Sequence, residues 1–268
     1  MNDKVRAAAV AGRFYSADPA ALRHEVDELL AAVETAGEPA AKAIIAPHAG
    51  FMFSGGVAAT AYARLRPAAG RIRRVVILGP SHFVPVRGLA ASSADWFETP
   101  LGRLRVDAGG MATALDSPAV ETNDAAHARE HSIETQLPFI QRVLGDDVTI
   151  VPLVVGDATP KVIGQVLASL WGDGETAIAI SSDLSHFHDN RTAQDLDRTT
   201  ARLIVGRRGA ELGPDNACGF LPIAGLLWNA ERHGTAVRTL ELRTSADAGA
   251  PPESVVGYGA FTLQEQAA

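Results

Sequence analysis

Short apolar runs that end abruptly at proline, glycine or serine and then give way to helix-spaced segments constrain this chain more than any other feature. "KAIIAP", "RRVVILGPSH", "VTIVPLVVG" and "TAIAISS" each hold four to seven apolar residues, too few for a helix of ordinary length and dense enough for strands buried on both faces. Between them lie helical patterns. In 18–36, "DPAALRHEVDELLAAVETA", Asp18 is suited to an N-cap and Pro19 to the first turn, and Leu22, Val26, Leu29, Leu30 and Val33 recur at helical spacing up to Gly37.

The small-residue stretch "SGGVAATAYARL" predicts a helix lying close to a sheet. Further helices are expected at 107–116, in "SIETQLPFIQRVL" with Pro138 placed to kink it, at 159–171, near 190–207 and near 216–233. "DWFETPLGRLRVD" reads as a hairpin around Pro100, Leu101 and Gly102, "ETNDAAHARE" as a polar loop, and "VRTLELRTS" and "VVGYGAFTLQ" as strands with one face covered. Strand and helix alternate over the whole length without repeats or linkers. The expectation is one α/β domain spanning 1–268, with a mixed, largely parallel central sheet and helices on both faces.

With 268 residues, 47% of them hydrophobic and 21% charged, the chain can bury a sizeable core. The formal charge of −7 offers no footprint for nucleic acid, and "RIRR" at 71–74, the densest basic run, reads as a solvated lead into a buried strand. A single cysteine, Cys218, excludes an internal disulfide and any CxxC zinc knuckle, and fits a reducing compartment. The apolar run between Arg6 and Arg13 is too short for a secretion signal and no stretch approaches a membrane span, so a cytoplasmic protein without membrane contact is expected. No GxSxG or GxxxxGK[ST] motif points to serine hydrolysis or nucleotide-driven chemistry.

In such a sheet, ligands bind beyond the carboxyl ends of the strands. His48 follows "AIIAP", His82 follows "VVILGPS", and Asp183, His186 and His188 follow "AIAISS", whereas His24 and His233 fall on helices or loops. Imidazoles at three strand ends point to a shared site, with His48 and His82 as metal ligands or acid/base groups. For an anionic third ligand, Asp183, Glu134 and Cys218 are all candidates. A thiolate at the start of a helix is favoured there, although a lone cysteine is also commonly a small buried hydrophobe. In "EHSIET", Glu130 and Glu134 suit the first turn of a helix, and His131 can face the site as a proton-transfer group or a substrate contact.

Taken together, "IIAPHAGFMFSGG", "ILGPSH", "EHSIETQLPFI", "SSDLSHF" and "CGFLPI", in this order from 44 to 223, resemble the Memo family, whose fold is similar to class III extradiol ring-cleaving dioxygenases. The resemblance implies a metal held by His48, His82 and Cys218, with Asp183, His186 and His131 lining the same pocket and His186 as acid/base. Iron is the implied metal, with copper or zinc as alternatives. The dioxygenase relatives use a carboxylate where this chain has cysteine, and a thiolate shifts metal preference away from catechol-cleaving chemistry. Animal members carry "CGRHPI"; Phe220 and Leu221 here replace its cation and imidazole. Microbial relatives are associated with a radical SAM enzyme and a third small protein, as the label AmmeMemoRadiSam records. Three functions follow: a metal-dependent oxidoreductase or dioxygenase-like enzyme acting on an unknown small molecule, a zinc-dependent hydrolase with His186 or Glu134 as base, and a non-enzymatic module binding a peptide or partner.

Overall fold

In the computed structural model, which describes residues 3–35 and 37–265, the apolar runs become the middle of a twelve-stranded sheet. The strands are β1 (Val5–Arg6), β2 (Ala43–Ala46), β3 (Arg74–Pro80), β4 (Leu89–Ala91), β5 (Trp96–Thr99), β6 (Gly102–Val106), β7 (Val120–Thr122), β8 (Thr149–Val155), β9 (Thr176–Ser181), β10 (His186–His188), β11 (Ala236–Thr244) and β12 (Val255–Gln264). The α-helices are α1 (Pro19–Ala31), α2 (Phe51–Tyr62), α3 (Ala108–Leu115), α4 (Asp124–Ala128), α5 (Leu137–Leu144), α6 (Pro160–Leu170), α7 (Asn190–Val205) and α8 (Phe220–Arg232).

Five neighbouring strands, β6-β8-β3-β9-β2, are mutually parallel. Residues of β2, β3, β8 and β9 are buried almost without exception, as expected when helices cover both faces. Helices α1, α2 and α5 pack as one group and α3, α6 and α8 as another. Antiparallel pairing is confined to the periphery: β12 runs against β2, β10 and β11, β5 against β6 in the expected hairpin, and β4 against β8. Because β3, β9 and β2 are adjacent and parallel, their carboxyl ends open at one place.

Several local expectations are corrected. The helix predicted over 18–36 ends at Ala31; residue 36 lies outside the described residues. Pro138 does not kink a longer helix. It occupies the first turn of α5, where a missing N–H costs nothing, and residues 134–136 form a separate 3-10 turn. The polar stretch 121–130 contains α4, because the Asn123 side chain accepts from Ala126 N at 3.2 Å and the helix buries Ala126 and His127. Among the described residues no helix is long and apolar enough to cross a membrane.

His127 provides a test of this packing. Its Nε2 donates to the Ala90 carbonyl at 2.9 Å, and burial pulls its pKa down to about 4 despite that bond. The unfolded chain takes up this proton near 6.5, so it binds more protons than the folded chain between roughly pH 6.5 and 4. Stability is therefore full above that window and falls as pH drops through it, by up to about 3 kcal/mol from this residue. Urea denaturation at pH 7 and pH 4.5 should show a smaller loss in His127→Gln than in the parent; equal losses would exclude His127 as a contributor.

Candidate metal centre

The chain leaves β2 at Pro47 and places His48 immediately beyond it, buried; β3 ends at Pro80 and places His82 two residues on, at the solvent side. Cys218 arrives from the other direction, just ahead of α8. Two glycines make the convergence possible. A Cβ on Gly79 would lie 2.5 Å from Ser132 Oγ, and one on Gly219 would lie 2.6 Å from Ser182 Cβ, so only glycine lets the 130–134 loop and the start of α8 close against the strand ends.

One ligand-capable atom from each of His48, His82 and Cys218 can be chosen so that all three lie within 4.8 Å of one another. Cys218 Sγ is 3.4 Å from His48 Nε2, and the His48 and His82 rings meet edge-on with centroids 5.1 Å apart. His82 Nδ1 is 2.8 Å from Glu130 Oε1, and the His82 backbone N–H donates to Glu130 Oε2 at 2.7 Å. Burial alone would raise the pKa of Glu130, but the bonds from His82, the His82 charge and the Ser132 N–H outweigh it and hold the carboxyl at about 2. A carboxylate only accepts, so His82 Nδ1 carries the hydrogen in this bond and Nε2 is the ring nitrogen left to face a metal, the carboxylate–histidine arrangement that orients metal-binding imidazoles.

Burial pulls the His48 pKa well down, with the neighbouring imidazoles of His82 and His131 adding to the effect, so His48 is a neutral imidazole. The Cys218 thiol is pushed up to about 12 by burial and by the Asp183 charge. It accepts from Asp183 N at 3.3 Å, and its own backbone N–H donates to Asp183 O at the same distance, so the thiol and the β9 exit turn hold each other.

The remaining predicted residues stand around this group. Asp183 is buried; its Oδ1 accepts from the His48 backbone N–H at 2.7 Å and its Oδ2 lies 4.0 Å from His48 Nε2, with burial raising its pKa. The His131 ring stacks on His82 at 4.5 Å and meets Phe14 at 4.8 Å. His186 opens β10 with its Nδ1 2.8 Å from Leu184 O, outside the three-ligand set but close enough for its charge to act on both His48 and Asp183. Its neighbour Phe187 is 80% exposed at φ 63°, a conformation that strains a non-glycine residue. Phe83, beside His82, and Met52, on the first turn after His48, are exposed as well.

Glu134 does not belong to the pocket. Its carboxylate takes an ion pair with Arg6, the N–H groups of Ala9 at 2.7 Å and Val10 at 2.9 Å, and the Tyr15 hydroxyl at 2.6 Å, and the residue is fully buried. It is a structural anchor for the N-terminal segment, neither a third ligand nor a hydrolytic base. Sequence reasoning missed Glu130 as the partner of His82, because helix capping already accounted for an acid there. Glu130 also accepts from His131 N and Ser132 N, both at 2.9 Å, which ties together the turn after α4 rather than capping a helix, since the 3-10 turn at 134–136 has no side-chain cap.

A family model described as Memo-like protein matches residues 6–262. A MEMO1 family protein of Sulfolobus acidocaldarius is 33% identical, with 95% of this chain and 97% of that one covered. Another, from Methanopyrus kandleri, is 32% identical over 97% and 99% of the two chains. Among solved structures, an uncharacterized Escherichia coli K12 protein superimposes with a TM-score of 0.54 over 82% of this chain and 98% of its own, at 12% identity, a likeness of fold alone.

Proposed function

This chain belongs to the Memo-like protein family, and from that premise we propose that it is a non-haem metal protein with redox, dioxygenase-like activity on a small molecule. The observation that carries the reading is the convergence of His48, His82 and Cys218 on one point from three distant parts of the chain. Two imidazoles and a sulfur suit a late first-row ion, with iron first and copper or zinc as the alternatives. Such an ion supplies redox or Lewis-acid chemistry at the positions these three side chains leave open.

The surrounding residues have separable tasks. Glu130 fixes the orientation of His82, and Asp183 holds the His48 backbone. His131 and His186 are the groups able to carry a proton at the pocket wall, with the His186 Nε2 left free by the bond its Nδ1 makes to Leu184 O. Phe83, 5.9 Å from the His131 ring, and Phe187, 5.6 Å from the His186 ring, are exposed and give the surroundings of these histidines an apolar character, which favours a substrate with apolar surface. The zinc-hydrolase alternative loses Glu134 as a base, since every face of that carboxylate is taken.

Protein purified without oxygen is expected to contain close to one equivalent of iron, copper or zinc, and His48→Ala, with retained circular dichroism, close to none. Equal metal content in the two would remove the proposal, and zinc as the native metal would redirect it from redox to hydrolytic chemistry.

A further inference from the structure

Behind His48, on the side away from Cys218, lies a chain of polar groups that are all buried. Ser181, the last residue of β9, is fully buried, and its Oγ is 2.5 Å from Ser132 O, 3.0 Å from Gln136 Nε2 and 2.8 Å from His48 Nδ1. A hydroxyl has one hydrogen to give and two lone pairs to receive with. Ser132 O can only accept, so it takes the hydroxyl hydrogen. The Gln136 amide nitrogen can only donate, so it fills one lone pair. What remains for His48 is the other lone pair, which requires a hydrogen on Nδ1.

The orientation of the Gln136 amide is itself fixed. The same Nε2 donates to the Pro47 carbonyl at 3.0 Å, a position an amide oxygen could not occupy without facing another acceptor. In that orientation Gln136 Oε1 is buried without a partner, a cost an apolar side chain would not incur. The value of a glutamine here therefore lies in its two N–H groups, which tie the exit of β2 at Pro47 to the exit of β9 at Ser181.

We propose that the Ser132 carbonyl, Ser181 and Gln136 act as a positioning relay that holds His48 as the Nδ1–H tautomer and keeps its Nε2 lone pair aimed at the metal position beside Cys218. The consequence for metal binding rests on the function proposed above; the tautomer does not. The two histidines of the centre are then held by different means, His82 by the carboxylate of Glu130 and His48 by a neutral hydroxyl–amide relay that adds no second negative charge behind the site. Ser181 and Gln136 act through His48 and are positioning residues.

The test has two arms. In metal-free protein, the ring-nitrogen chemical shifts of His48 should identify Nδ1 as protonated and Nε2 as unprotonated. Ser181→Ala should release that preference while leaving circular dichroism unchanged, and Ser181→Thr, which keeps the hydroxyl, should restore it. In the second arm, ferrous iron, cobalt(II) and zinc(II) are titrated separately. Ser181→Ala should weaken binding by about 10- to 100-fold and Gln136→Leu by about tenfold, with the threonine variant close to the parent. A parent protein with hydrogen on His48 Nε2, or a Ser181→Ala variant with unchanged tautomer and affinity, overturns the relay. A parent that binds none of the three ions overturns the metal reading instead, and the chemical-shift arm still decides the relay.

Discussion

Replacing Glu134 by glutamine is expected to cost the fold about 3–5 kcal/mol, a large share of the stability of a domain of this kind. Glu134 and Arg6 are both buried, and their carboxylate and guanidinium form an ion pair at a distance from solvent where neither charge can be rehydrated. Glutamine is nearly isosteric, but one of its two ends donates. Either the Ala9 and Arg6 side or the Val10 and Tyr15 side then meets an N–H group where it now meets an oxygen, and the Arg6 charge is left buried without its counterion. Arg6 also donates to Glu130 O at 2.6 Å and His127 O at 3.0 Å, so the damage reaches the loop that carries Glu130 and His131. Chemical denaturation measures the loss. Combining the change with Arg6→Met, which removes the orphaned charge, should recover part of it, and the double-mutant cycle should show a coupling of more than about 1 kcal/mol. A loss for Glu134→Gln alone of under about 1 kcal/mol would mean that the pair is not the anchor described here.

This dependence was invisible in the sequence for a physical reason. A glutamate at the start of a helical pattern has a local explanation in the helix dipole, and that explanation is sufficient until the partner, Arg6, is brought up from 128 residues away. The same limit hid the pairing of Glu130 with His82 and the relay through Ser181 and Gln136, since serine and glutamine carry no local signature of their task. Strand-end histidines were legible because they needed only two local facts: continuous apolar runs that must be buried parallel strands, and a turn residue that fixes where each run stops. His48 and His82 meet those conditions directly. Cys218 does not, because its position depends on how closely α8 approaches β9, which Gly219 controls through contact with Ser182. At the residue level the third ligand therefore stayed open among Asp183, Glu134 and Cys218. The structure puts Cys218 Sγ with the two imidazoles, Asp183 on the His48 backbone and Glu134 elsewhere. The short α4 escaped notice because its stability comes from burying His127 under β4 rather than from helical periodicity.

Cys218→Ser is expected to reduce metal affinity by at least about 100-fold, more than the loss of an outer hydrogen-bonding partner produces. Serine keeps the size and the hydrogen-bonding capacity at this position, so Asp183 N retains an acceptor and the β9 exit turn is preserved; the loss is one of ligand chemistry rather than of structure. A thiolate is a soft, anionic donor, whereas a serine hydroxyl stays neutral at ordinary pH and binds late first-row ions weakly. The thiol is pushed up to about 12 without an ion, so binding must expel a proton from sulfur, while neutral His48 has none to expel from Nε2. Titration of cobalt(II) at pH 7 in buffers of different ionisation enthalpy should therefore record close to one proton released per ion in the parent and markedly less in Cys218→Ser. The parent complex should also show a sulfur-to-cobalt charge-transfer band that the variant lacks. A variant with unchanged affinity, together with a parent complex that shows no sulfur-to-cobalt band, would place the ion away from Cys218, on the cluster of His82, Glu130 and His131, and Glu130→Gln rather than Cys218→Ser would then abolish binding.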